Sequence, residues 1–163
     1  LALPQLLCAG AALDWTVMTP DYRERTAALA FYFENLSPAS VAQLPQFYAP
    51  EVVFKDPFNE VQGLAAVTSI FEHMYTALEA PHFVVTQSLV DGDQAFLTWD
   101  FKFKFKRFDT HTLQTVRGGS HVQFNPKGLI TLHRDYWDAA EELYEKLPLL
   151  GGLMRWLKKR AVS

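Results

Sequence analysis

The sequence predicts an α+β domain whose N-terminal helices pack on one face of a curved, mainly antiparallel sheet. Three observations predict it. Apolar residues recur with a period near 3.6 up to Pro81 and with a period of 2 beyond it. The turn signals Asp91-Gly92-Asp93 and Asn125-Pro126-Lys127-Gly128 punctuate the second half as hairpins do. Helices come first and strands after, which is the element order of α+β domains.

Each element follows from local signals. Thr19 and Pro20 read as the cap and first position of a helix carrying Leu29, Tyr32, Phe33 and Leu36 on one face. Ser37-Pro38 starts a second, short helix, cut up by Pro45 and Pro50. "EVVFKD" is a short strand that stops at Asp56-Pro57. A third helix follows, with Leu64, Val67, Ile70, Phe71, Met74 and Leu78 as its apolar stripe and Pro81 as its end. "HFVVTQSLV", "AFLTWDFKFKFKRF", "TLQTVRGGSHVQFN" and "LITLHRDYWD" are strands, with a bulge or bend expected at Gly118-Gly119. The tail from Ala139 is helical, broken at Pro148 and at Gly151-Gly152.

Three segments result: an N-terminal extension, 1–18, set outside the fold; the domain, 19–140; and a helical tail, 141–163. The 163 residues suffice for one well-buried core, and 20% charged against 49% hydrophobic is an ordinary globular balance. The 13 Phe point to a core or pocket with flat apolar walls. A net charge of −3 gives no reason to expect nucleic acid. The lone Cys8 rules out an internal disulfide and a cysteine-based metal site. No apolar run reaches the roughly 18 residues of a membrane span, and a cytoplasmic location is the expectation. The end "LMRWLKKR" joins an apolar face to a basic cap, as in a lid or packing helix or in a helix that touches a membrane surface.

The order helix–helix–"VVFKDP"–helix–meander resembles the nuclear transport factor 2-like superfamily over residues 20–140. That superfamily includes ketosteroid isomerase, SnoaL-like polyketide cyclases and limonene epoxide hydrolase. The resemblance implies a cone-shaped domain on a strongly curved, mixed, mainly antiparallel sheet, and a pocket for a small apolar or lipid-like molecule. "VVFKDP" is similar to the isomerase strand that carries the general base, which implies Asp56 as base and Tyr32 as the oxyanion donor. The isomerase's second donor position falls on Ser120. "GLITLHRDYWD" is similar to the last strand of the hydrolase and implies Asp135 as a catalytic carboxylate, with Asp100 and Lys102 in the partner positions.

The residue chemistry leaves alternatives open. Asp56 is either a turn-former or a base whose weak solvation by Phe54, Pro57 and Phe58 tunes it for proton transfer. Tyr32 is either a core ring or a donor to an enolate oxygen. Strand parity puts His133, Asp135 and Trp137 on one face, and Ser120, Val122 and Phe124 on one face of their strand. The family match turns both faces inward, and brings Asp100 and Lys102 with them. Asp56, Asp100 and Asp135 would then share at least one proton. The same parity leaves Phe101, Phe103, Phe105, Ile130, Leu132 and Tyr136 on a convex face, expected to pair two chains as a homodimer. His133 and Asp135 lack further ligands for a metal beyond Asp56, so no metal is expected, and no motif asks for a cofactor. Three functions fit: an isomerase-like proton-transfer enzyme, an epoxide-hydrolase-like enzyme, and a non-catalytic carrier or interaction domain.

Overall fold

The computed structural model describes residues 20–107, 110–142 and 150–161. The expected N-terminal extension, Thr19 and Pro148 lie outside them. Helix α1 (Tyr22–Glu34) is followed by a 3-10 helix (Ser40–Gln46), strands β1 (Tyr48–Lys55) and β2 (Glu60–Gln62), and helix α2 (Leu64–Ala77). Strands β3 (Leu78–Asp91), β4 (Gln94–Phe105), β5 (Gln114–Phe124) and β6 (Ile130–Tyr136) form the meander, and α3 (Ala139–Glu142) and α4 (Leu150–Ala161) close the chain.

The sheet order is β2-β1-β6-β5-β4-β3. Every neighbouring pair is antiparallel except β1 with β6, which run parallel. The sheet is therefore mixed, with its first long strand laid beside its last. Helix α1 packs on β3, and α2 packs on β1 and β3, so both helices cover the concave face. Leu29, Leu44, Val52, Val67, Val122 and Ile130 are fully buried between these layers. Arg25 ties α1 down by donating to the carbonyls of Gly128 (2.9 Å) and Gln46 (2.8 Å).

Several boundaries differ from expectation for physical reasons. Asp21 caps α1, its carboxylate accepting from the N–H groups of Arg23 and Glu24. Helix α2 ends at Ala77, and Pro81 lies inside β3. It is tolerated there because the β3–β4 register shifts between Glu79 and His82, where Ala80 takes φ +48°. Strand β1 starts at Tyr48, three residues before "EVVFKD", because its register against β6 shifts after Tyr48 and accommodates Pro50. The ladder of β4 with β5 runs unbroken through Gly118 and Gly119. These two glycines serve close approach: a Cβ on Gly118 would sit 2.4 Å from the Trp99 ring, and one on Gly119 2.6 Å from the Phe96 ring. Helix α4 runs through Gly151-Gly152 without a break.

The larger correction concerns strand β4. Phe101, Phe103 and Phe105 point into the concave cavity, and Asp100 and Lys102 occupy the opposite face. Ordinary patterning governs this strand, with rings inward and charges toward water. Ile130 is buried in the main core. Of the six residues expected to pair two chains on a convex face, four are thus used inside the domain, and that dimer surface does not exist as composed. Among the described residues no helix is long and apolar enough to cross a membrane.

Candidate functional site

The curved sheet and α2 enclose a cavity of about 380 Å³, within the range of small-molecule pockets. Its wall is mostly aromatic. Phe83 stacks on Phe101 at 4.4 Å and meets Trp99 edge-on at 5.6 Å, and Phe103 continues the row from Phe101 to Phe105. Period-2 alternation in β4 places Leu97, Trp99, Phe101, Phe103 and Phe105 on this side in succession. At one rim the exposed Phe58 meets Trp137 edge-on at 5.3 Å.

Of the polar side chains that line the cavity, Ser120 and His133 converge on Asp135, and Asp56, Asn59 and His73 stand elsewhere on the wall. Register pairs Ser120 with Asp135 and Val122 with His133 across β5 and β6, and parity turns all four inward. The Trp99 indole N–H donates to Ser120 Oγ at 2.9 Å. The Ser120 hydroxyl donates to Asp135 Oδ1 at 2.5 Å. His133 Nε2 lies 2.8 Å from the same Oδ1, and its Nδ1 lies 2.6 Å from the Tyr48 hydroxyl. His133 is 2% exposed, held among Tyr48, Phe54 and Phe33.

The network assigns the protons. Tyr48 has one O–H, and among the described residues His133 is its only acceptor, so Tyr48 donates to Nδ1. His133 then accepts on Nδ1 and donates the proton of Nε2 to Asp135. Burial first, then the negative charge of Asp135 and the nearby Tyr32, push the Tyr48 hydroxyl well above its usual range, so it remains a donor. Asp135 Oδ1 thus receives two hydrogen bonds, and Oδ2 has no hydrogen-bond partner among the described residues. The side chain keeps 19% exposure while lining the cavity. Asp135 stands between this cavity and a more open pocket lined by Lys55, Arg134 and Asp138, and a carboxylate with one oxygen held and the other without a protein partner can accept a proton from a molecule beside it.

Other expected residues take different places. Asp56 lines the cavity, but its carboxylate is engaged in its own turn: Oδ1 accepts from the N–H groups of Phe58 (2.7 Å) and Asn59 (2.6 Å), and Oδ2 from the Asn59 side chain (2.9 Å). The Asp-Pro turn is thus also an Asx turn. Tyr32 is a core tyrosine: it stacks on Phe47 at 4.4 Å and donates to the carbonyl of Ser40 at 2.9 Å, away from the cavity lining. Burial, then Tyr75, push its hydroxyl up to about 12. Asp100 faces Arg117 at 4.0 Å on the far side of the sheet, and Lys102 is on that side too. The three-aspartate cluster and its shared proton therefore do not form. Phe54, Phe58, Ser120, His133 and Trp137 line the cavity as expected, and Val122 is buried in the core beneath it. Among the described residues no group of three His, Cys, Asp or Glu lies together as a metal site.

Sequence reasoning missed Tyr48 and Trp99. Trp99 was signalled by the alternation of β4. Tyr48 was hidden between Pro45 and Pro50, where "QFYAPE" reads as the end of a broken helix.

With this geometry in view, the SnoaL-like domain family matches residues 28–133, most of the described fold. The chain belongs to the SnoaL-like family. Its solved neighbours carry the same cone. A protein from Catenulispora acidiphila DSM 44928 with a ketosteroid isomerase-like fold, solved with trimethylamine, is 17% identical, with a TM-score of 0.62 over 74% of this chain and 89% of its own. A nuclear transport factor 2-like protein from Burkholderia pseudomallei K96243 is 13% identical, with a TM-score of 0.64 over 75% and 94%. A protein from Jannaschia sp. CCS1 named as a SnoaL-like polyketide cyclase is 13% identical, with a TM-score of 0.63 over 74% and 87%. At these identities the likeness is one of fold. No match arises among curated protein sequences.

Proposed function

We propose that this SnoaL-like domain is a proton-transfer enzyme acting on a carbon acid within a flat, largely apolar molecule, with Asp135 as its base. The observation that carries the reading is Asp135, a lining residue of an aromatic cavity whose Oδ1 is held by two hydrogen bonds and whose Oδ2 has no partner among the described residues. Oδ2 takes a proton from a carbon next to a carbonyl, and the C–H electron pair moves into the carbonyl to give an enolate. The proton returns to another carbon, or the enolate carbon attacks a second carbonyl of the same molecule and closes a ring, the π pair of that carbonyl going to its oxygen, which takes the proton back from Oδ2. Ser120 and His133 hold Oδ1 so that the lone pairs of Oδ2 face the substrate. Tyr48 acts one step further back, by selecting the tautomer of His133 that can donate.

The substrate class follows from what the cavity lacks. Among the described lining residues the donors of Trp99, Ser120, Asn59 and His133 are already spent on protein acceptors, and the imidazole left without a protein partner, His73, is exposed at the edge rather than buried in the wall. A substrate that spreads enolate charge over its own conjugated carbonyls fits better than a simple ketone, which needs an oxyanion donor. The description of the Jannaschia neighbour as a polyketide cyclase agrees with this chemistry. Epoxide opening is favoured less, because its acid and cation, Asp100 and Lys102, are on the wrong face.

The test is solvent deuterium exchange into cyclic β-dicarbonyl probes, followed by NMR. The wild-type chain is expected to accelerate exchange, and Asp135→Asn to lose about 10²–10⁴-fold of that acceleration. If both bind the probe and exchange it equally slowly, the domain is a carrier.

A further inference from the structure

Helix α4 lies beyond the shared domain. The family match stops at residue 133, and the neighbours are covered over 87–94% of their own length while using about three quarters of this chain. Leu153, Trp156 and Leu157 fall at helical spacing on one stripe of α4 and are 52%, 50% and 45% exposed, so no other described element covers them. The same 12 residues hold Arg155, Lys158, Lys159 and Arg160 and no carboxylate, within a chain whose net charge is −3. The Arg160 guanidinium lies 4.5 Å from the centre of the Trp156 ring, which sets a cation at the edge of the apolar stripe.

We propose that α4 docks the domain on the surface of a bilayer containing anionic lipid. Leucine side chains and an indole enter the headgroup boundary, and the cations meet lipid phosphates. An acidic protein would answer the basic composition of the segment, but an exposed Leu–Trp–Leu stripe with a guanidinium at its edge also requires an apolar layer directly beside the charge, which is what a bilayer interface provides. At about 1.5 Å per residue the helix is roughly 18 Å long, too short for a hydrocarbon core of about 30 Å. It therefore lies in the surface. This holds whether or not the cavity is catalytic.

Sedimentation of the full chain with lipid vesicles tests the proposal. Binding is expected to vesicles of phosphatidylcholine mixed with phosphatidylglycerol, to weaken as salt rises, and to be absent with phosphatidylcholine alone. Lys158→Gln and Lys159→Gln should each weaken it about fivefold. The double change Leu153→Glu, Leu157→Glu should abolish it with the circular dichroism of the domain unchanged. Failure to bind the mixed vesicles at low salt would overturn the proposal. So would binding indifferent to these substitutions, or a dimer in light scattering that the Leu→Glu pair dissociates, since a second copy would then own the stripe.

Discussion

The Tyr48 hydroxyl is the residue-scale feature on which the site turns. It is the partner of His133 Nδ1, and together with the Asp135 carboxylate on Nε2 it settles which nitrogen of that ring carries the proton. Tyr48→Phe removes the donor and leaves a buried acceptor unpaired, at a cost of about 1–3 kcal/mol. We expect the ¹⁵N resonance of His133 Nδ1 to shift as it loses its donor while Nε2 keeps its proton toward Asp135, and probe exchange to slow more than probe binding weakens. An unmoved Nδ1 resonance would refute the assignment. The candidate carboxylate itself was legible through the likeness of "GLITLHRDYWD" to the last strand of the hydrolase, and strand parity set it on the same face as His133. Its support was not. Hydrogen bonds from Ser120 and His133 depend on cross-strand register, and register depends on bulges that the residue pattern does not announce.

At the scale of elements, β4 and β5 meet where Gly118 faces Trp99. A methyl group there would overlap a rigid ring at 2.4 Å, and the ring also carries the N–H that holds Ser120. Gly118→Ala should therefore cost roughly 1–3 kcal/mol of stability through overpacking. It should also turn the indole away from Ser120, measurable as a lower melting temperature together with altered tryptophan fluorescence. Equal stability and unchanged emission would show that the close approach is not tight in solution. The helices and the four long meander strands were legible from period and turns. The face of β4 was misjudged where the family resemblance was set above simple patterning. An alternation of Phe with Asp and Lys has a low-energy solution with the rings in the cavity, and the chain adopts it. Strand β2 carries three residues, too few for any period to declare itself.

At the scale of the whole molecule, buried tyrosines set the alkaline limit. Burial pushes Tyr32 up to about 12 and Tyr48 well above its ordinary value. The folded state thus keeps protons that the unfolded chain releases near pH 10, so stability is full below pH 10 and falls as pH rises through about 12. Denaturant midpoints measured across that window should decline as the phenolate absorbance appears. In Tyr32→Phe the decline should be shallower. The cone, the inward helices and the cavity were readable in outline from the sequence, while its volume and openings depend on sheet curvature, which residue patterns encode only weakly.

The parallel seam between β1 and β6 has a consequence for how the protein is made. Tyr48 and His133 are 85 residues apart in the chain, and their bond exists only across that seam. During synthesis, β1 leaves the ribosome early and must wait for β6 before half of the site has a partner. Contacts so distant in sequence form late in folding. Nascent or truncated chains that stop short of β6 would contain the aromatic wall without its acid–base centre. The proposed proton-transfer activity would then appear only with chains that include β6, and could serve as a readout of their synthesis.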